Sequence, residues 1–342
     1  MVNKKSTKKN RKEMNRKSVL FTLISLLLAV FFVTTFSIDF DSTSSQRTPA
    51  INTRISILNV YVKNFQTYSE DSLQVASYRT LDSMYTQSLD RHRFFNDFNE
   101  FNNTFSNCLI CGTLNCTNVA ASKCAGSVNG NDMTTLLNNI TSLAYKNLNI
   151  QTNYSINSIS FYQDSPFDIH VVMNLSYNVS DNIQSEYASW STNFVTDQQI
   201  SIIGLYDPLS GVNTNDVYKK RIKSTSICGL DLSCWNLANT QAFYNNKEFR
   251  YYPNGTGYLE RFWNGTGKFC TGCGIESFVN VTYANGNFSY VDTMYWNNPP
   301  ICSINNRLYF ISAINESNKP LVLDSSAVTR YGLGFNWSSC PH

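Results

Sequence analysis

The chain predicts an α+β fold: an N-terminal transmembrane helix, a long extracytoplasmic helix, then a mostly antiparallel, β-rich, disulfide-containing ectodomain. Three observations carry this. Residues 18–38 are uncharged and apolar and directly follow a basic block. Residues 50–90 repeat apolar side chains at helical spacing. From Ile169 the chain alternates apolar and polar residues, the period of a half-buried strand. Helices first and strands afterwards is an α+β order.

The first element begins with residues 1–17. Lys4, Lys5, Lys8, Lys9, Arg11, Lys12, Arg16 and Lys17 stand there against one acid, Glu13. The apolar stretch 18–38 follows, and at about 1.5 Å per residue it reaches roughly 30 Å, a bilayer core. Positive charge on one side only places the N-terminus in the cytoplasm and everything from Asp39 outside. The stretch exceeds the roughly 7–15-residue core of a secretory signal, and no A-x-A site follows it, so it reads as a retained anchor. Without the tail, the chain's 27 basic and 24 acidic residues become nineteen and twenty-three. The ectodomain is therefore mildly acidic, which argues against nucleic acid as a partner. The bilayer is the partner the anchor implies.

Residues 39–49 are a polar linker. Thr48 and Pro49 suit the N-cap and first position of a helix. Ile51, Ile55, Leu58, Val62 and Phe65 then form an apolar seam, continued by Leu73, Ala76, Leu81 and Met84. The pattern predicts a long helix or stalk over 50–90, either continuous or broken near Glu70–Asp71. Residues 91–342 form the disulfide-rich α+β ectodomain. Within it, 92–130 read as a disulfide-pinned excursion. Asp132 suits the cap of a second helix with the stripe Met133, Leu136, Leu137, Ile140, Leu143, Ala144 and Leu148. Strands are expected over about 152–161, 168–179 and 198–206. A hairpin is expected across Val279–Tyr295, turning at Asn285-Gly286, and a last strand near 307–314.

All ten cysteines lie outside the membrane: Cys108, Cys111, Cys116, Cys124, Cys228, Cys234, Cys270, Cys273, Cys302 and Cys340. An even number in an oxidising compartment predicts disulfides. Short loop closure favours local pairing within 108–124 and between Cys228 and Cys234. Two C-x-x-C pairs, Cys108/Cys111 and Cys270/Cys273, raise zinc or redox chemistry as alternatives. No histidine lies near Cys270, and only His92 lies near Cys108. The reading is therefore no metal and no cofactor.

Twelve sequons are candidate glycosylation sites: Asn102, Asn115, Asn139, Asn153, Asn174, Asn178, Asn254, Asn264, Asn280, Asn287, Asn315 and Asn336. The chain is rich in Asn, Ser and Thr, so placement carries more than number. Asn174 and Asn178 fall on the polar face of the strand 168–179, where a glycan points outward.

Chemistry is sparse. There is no P-loop, G-x-G-x-x-G, H-E-x-x-H, G-x-S-x-G or EF-hand loop. His92 sits between Arg91 and Arg93, His170 on a strand's polar face, and His342 at the last position. Asp164, Asp168, Asp207 and Glu276 are the carboxylates available for hydrolysis, and turn or cap residues beside Pro166 and Pro208 are the plainer reading. Trp190, Trp235, Trp263, Trp296 and Trp337 are candidate anchors for a sugar or protein, or core residues.

The opening Arg16-Lys17-Ser18 and the run VLFTLISLLLAVFF resemble the N-terminus of archaeal type IV pilin-like proteins. Those carry a basic pair, a small residue and then a hydrophobic helix used as anchor and assembly core. The segments SLQVASYRTLDSMY (72–85), YQDSPFDI (162–169), ASW (188–190), ISIIGLYDPLSG (200–211), GIESFVN (274–280) and RYGL (330–333) resemble uncharacterised membrane-anchored surface proteins of small-genome archaea. The resemblance implies a surface location and a processing site between Ser18 and Val19, and it implies no activity. Ser18 replaces the usual Gly or Ala, and the linker 39–48 interrupts the pilin helix. The expectation is a single-pass cell-surface glycoprotein, either a pilin-like subunit or an adhesin, without catalysis. Its apolar helix 19–38, extended by the seam 51–65, would pair with further copies. The alternative is a membrane-tethered glycan-binding or attachment module meeting surface glycans or proteins, and behind it a tethered hydrolase.

Overall fold

The computed structural model describes residues 47–118, 121–128, 130–181, 189–229, 232–264, 270–283, 290–297, 307–316 and 318–333. The basic tail, the apolar stretch 18–38, the Ser18–Val19 junction and most of the linker lie outside them. Among the described residues no helix is long and apolar enough to cross a membrane. In order come α1 (Arg47–Asp90), α2 (Phe98–Cys111), α3 (Met133–Leu148), β1 (Ile150–Tyr162), β2 (Asp168–Asp181) and β3 (Ser189–Ser201). Then follow α4 (Pro208–Asn213), α5 (Leu237–Asn246), β4 (Arg250–Thr256), β5 (Ile275–Glu276), α6 (Asp292–Asn297), β6 (Leu308–Glu316), β7 (Lys319–Asp324) and α7 (Ser325–Arg330). The strand pairings are antiparallel, so the α+β class with antiparallel sheets holds.

Helix α1 is continuous over 44 residues, about 66 Å at the helical rise. It does not break at Glu70–Asp71, because no Gly or Pro interrupts residues 50–90. Nor does it stand free as a stalk. Leu58, Tyr61, Phe65, Leu73, Ala76, Leu81 and Met84 are all buried, each large one stabilising by roughly 2 kcal/mol. The sheet supplies the partner surface. Phe65 meets Tyr177 edge-on at 5.2 Å, Tyr61 shares a 2.8 Å hydrogen bond with Thr152, and Gln66 donates to the Tyr177 hydroxyl at 2.8 Å. Near the helix start, Arg54 donates to Asp181 Oδ1 at 3.1 Å and to the Leu148 carbonyl at 2.6 Å. The seam expected to mate with other copies is thus satisfied inside the molecule from Leu58 onward.

Helix α2 corrects the expected excursion at 92–130. The Asp97 carboxylate accepts from the Glu100 N–H at 2.8 Å, and Glu100 Oε2 accepts from the Asn96 N–H at 2.7 Å. This box starts a helix that buries Phe101, Phe105 and Leu109. Asp132 caps α3 through the Thr135 N–H at 2.9 Å, as the sequence suggests.

The main sheet has order β1-β2-β3. Central β2 turns Ile169, Val171, Met173, Leu175, Tyr177 and Val179 into the core. Tyr154 pairs with Tyr177, and Leu175 with Phe194. β3 runs over Ser189–Ser201 rather than 198–206. It is an edge strand with mostly exposed side chains, so its alternation carries little signal. The apolar Ile202–Tyr206 segment is instead a turn, with Gly204 at φ +93°.

A second apolar cluster gathers Trp235, Phe243, Phe278, Val291, Leu308, Leu323, Val328 and Tyr331. Its hairpin β6–β7 includes a strand, β7, that the sequence reading lacks. At the expected Val279–Tyr295 hairpin, Phe278 pairs antiparallel with Val291. The turn residues 284–289 lie outside the described residues. From Asp292 the chain becomes helical, because that carboxylate faces Arg261 and accepts from the Thr293 N–H instead of continuing a strand.

Candidate functional site

The cysteines pair as Cys108–Cys124, Cys111–Cys116, Cys228–Cys234 and Cys270–Cys273, with Cα separations of 5.5–5.9 Å. The first C-x-x-C is therefore split between two bridges and the second is bridged to itself. Cys302 and Cys340 lie outside the described residues. Among the described residues no group of three His, Cys, Asp or Glu could hold a metal ion.

The carboxylates weighed for hydrolysis do not converge. Asp207 is fully buried, caps α4 through the Leu209 and Ser210 N–H groups, and accepts from Arg261 at 3.1 Å. The same guanidinium donates to Asp292 at 2.9 Å and to the Ile275 carbonyl at 2.7 Å. Burial alone would lower the Arg261 pKa, but Asp292 and Asp207 outweigh it and hold it above its usual value. Glu276 accepts from Tyr331 at 2.7 Å and pairs with Arg330 at 3.0 Å. Burial pushes its carboxyl up against the opposing pull of Arg330 and Arg250. Arg250 lies 3.6 Å from Glu276, its guanidinium over the rings of Trp235 and Tyr331.

Asp164 and Asp168 belong to a different place. On the open face of the sheet, His170 stacks on Tyr162 at 4.7 Å, its Nδ1 lies 3.0 Å from Asp197 Oδ1, where the carboxylate accepts, and its Nε2 lies 3.5 Å from Asp164. Asp168 accepts from Ser165 at 3.2 Å. Among the described residues no Ser or Cys is hydrogen-bonded to His170. His92 is exposed in the turn that ends α1, and His342 lies outside the described residues.

Trp235 is buried, whereas Trp190, Trp263 and Trp296 are half-buried and pack against the two clusters. Trp337 lies outside the described residues. Of the sequons, Asn115, Asn139, Asn153, Asn178, Asn254 and Asn315 are exposed, and Asn102, Asn174 and Asn264 are half-buried. Asn280 is only 8 % exposed, and Asn287 and Asn336 lie outside the described residues.

The site that brings functional side chains together is one the sequence reading did not find. A cleft opens where four segments meet. Gln241, Tyr244, Asn245 and Lys247 come from α5 and its C-cap, and Ile314, Asn315 and Glu316 from the end of β6. Phe278 and Asn280 form the floor with Tyr218. Toward the second mouth stand Asp216, Lys219, Thr282 and Tyr283. The two lobes measure about 290 and 530 Å³ and share Tyr218, Lys247, Asn280 and Glu316.

Local sequence explains each placement. Asn236 caps α5 at its start, and Lys247 ends it in the left-handed conformation at φ +54°, turning its side chain out of the helix line. Asn280 Oδ1 accepts from both the N–H and the hydroxyl of Thr282, at 2.8 and 2.5 Å, an Asx turn. Tyr218 stacks on Tyr283 at 4.9 Å. Tyr244 donates to Glu316 Oε2 at 2.9 Å and accepts from the Val281 N–H at 3.3 Å. Burial is the main cause raising both the Tyr218 and Tyr244 phenols, so both keep their protons at neutral pH. Asp216 accepts from Tyr85 at 2.7 Å and pairs with Lys219. Beneath the floor, Lys220 donates to the Phe278 carbonyl at 3.0 Å, its ammonium lowered to about 8 chiefly by burial.

Such a lining of amides, phenols, carboxylates and ammonium groups offers hydrogen-bond donors and acceptors side by side. These residues are far apart in sequence, and the one local signal is the Tyr244-Asn245-Asn246-Lys247 run at a helix end. No family model matches the chain, and no curated protein or solved structure matches it significantly.

Proposed function

We propose that this chain is a single-pass cell-surface protein, N-terminus inside, that works by presenting its disulfide-pinned head as an adhesin or pilin-like subunit. The observation that carries this is the continuity of α1. It begins at Arg47, shortly after the apolar stretch 18–38, and its Arg54, Tyr61 and Phe65 lock it onto the sheet. A membrane anchor upstream of a spine that is part of the core would tether the head to the membrane. The local disulfides suit an oxidising exterior. Asp207 and Glu276, two of the acids available for hydrolysis, are buried in a helix cap and in ion pairs, which favours presentation over catalysis.

The adhesin and filament readings separate at the mature N-terminus. Filament assembly through the helix 19–38 requires release of the basic tail; a permanent anchor keeps it. Protein isolated from its native membrane should start at Val19 in the first case and at Met1 or Val2 in the second. In both, protease added to intact cells should release fragments of the head. Full protection of residues 47–333 on intact cells overturns the surface assignment.

A further inference from the structure

We infer that the cleft between α5, the end of β6 and the 278–283 segment is a saccharide site, seating one or two pyranose rings. This rests on the surface-presentation reading and names what the head would hold. Its lobes, about 290 and 530 Å³, fall near the range of small-ligand pockets.

Charge narrows the ligand first. Asp216 and Glu316 balance Lys219 and Lys247 across the two mouths, so there is no excess positive charge to select a phosphate or nucleotide. The apolar surface is small, since Phe278 and Ile314 are buried beneath polar neighbours, which disfavours a lipid. What remains is a fringe of planar amides: Gln241, Asn245, Asn280 and Asn315. An amide offers donors and an acceptor side by side. That matches the vicinal hydroxyls of a sugar, each of which donates and accepts.

An aromatic platform completes the arrangement. Tyr283 is 37 % exposed and rests on Tyr218 with 27° between the rings. Its electron-rich ring attracts the weakly positive C–H face of a pyranose. The polar groups are also held in advance. Thr282 fixes Asn280 by its oxygen, leaving Nδ2 as the donor, and Tyr244 fixes Glu316 by Oε2, leaving Oε1 as an acceptor. Lys247 has no ionic partner among the described residues. Groups ordered before binding lose little entropy when the ligand arrives.

Asn280 and Asn315 also head sequons. A glycan attached to Asn280 would occupy the cleft itself, so the inference requires Asn280 to be unmodified in the native protein.

The test uses the full chain in a detergent without a sugar headgroup. Methyl glycosides of glucose, galactose, mannose and N-acetylglucosamine, and their disaccharides, are titrated and followed by saturation-transfer NMR and calorimetry. At least one should bind with Kd on the order of 1 mM or tighter. Asn245→Ala should weaken it tenfold or more without moving the thermal midpoint, because that side chain is exposed, and Tyr283→Ala should weaken it as much while also losing the stack on Tyr218. Three results overturn the site: no glycoside binding, binding unchanged in both variants, or an intact glycan on Asn280 by mass spectrometry. Release of the head from intact cells together with no glycoside binding removes the ligand class alone. A head protected from protease removes the reading beneath it.

Discussion

Replacing Arg261 by Leu should be the most damaging single change among the buried charges. Arg261 is fully buried and bridges Asp207 at 3.1 Å and Asp292 at 2.9 Å. Leucine roughly fills its stem but leaves both carboxylates without their cation. Removing one partner of a buried pair costs about 3–5 kcal/mol. Both acids keep other donors, Leu209 and Ser210 for Asp207 and Ser277 and Thr293 for Asp292, which holds the cost near 4 kcal/mol rather than twice that. A domain of roughly 300 residues unfolds with an entropy of about 0.6 kcal/mol/K, so the midpoint should fall by about 6–7 °C. Calorimetry of the full chain at neutral pH measures it. A loss below about 1 kcal/mol refutes the ion bridge.

Lys220→Met should remove a pH-dependent part of the stability. The folded ammonium is lowered to about 8 by burial, so the unfolded chain binds the extra proton up to its ordinary value near 10.4. Measured against the variant, the natural protein should gain on the order of 2–3 kcal/mol between pH 8 and 10; chemical denaturation of both proteins at the two pH values reads the difference, and a constant difference excludes it. Replacing both Cys108 and Cys124 by Ser opens a loop of sequence separation 16 and should cost about 3 kcal/mol. Serine at Cys270 and Cys273, separation 3, should cost about 2 kcal/mol; urea titrations that rank the pairs in reverse contradict the loop-closure account.

The sequence discloses elements where one side of a segment meets one surface. β2 is central, so its inward residues from Ile169 to Val179 alternate cleanly, and its strand can be read directly. α1 is legible for the same reason, down to Leu73, Ala76, Leu81 and Met84. β3 is not legible, because an edge strand presents most of its side chains to solvent and leaves no period. α2 escapes notice because the cysteines and asparagines of 98–111 suggest a loop, while the informative pair, Asp97 with Glu100, is only a cap. The cleft is the least legible part. Tyr218, Tyr244, Asn280 and Glu316 each look like ordinary surface residues until the packing of four segments aims them at one space.

That packing depends on charge as much as on apolar area. One apolar cluster joins α1, α2 and the main sheet, and the other joins α5, β6, β7 and α7. Between them run Arg261 with Asp207 and Asp292, Arg250 and Arg330 with Glu276, and Lys220 on the Phe278 carbonyl. Two apolar surfaces can slide over each other at modest cost. A joint made of buried charges has one register, because any shift strands a charge at a cost of several kcal/mol. The cleft floor is built on this joint: Phe278 accepts from Lys220, and Ser277 next to it donates to Asp292 at 2.8 Å. The distance between Asn280 on the floor and Glu316 on the wall is therefore set by the ion pairs below. A cleft assembled from four distant segments needs such a joint if it is to keep one shape.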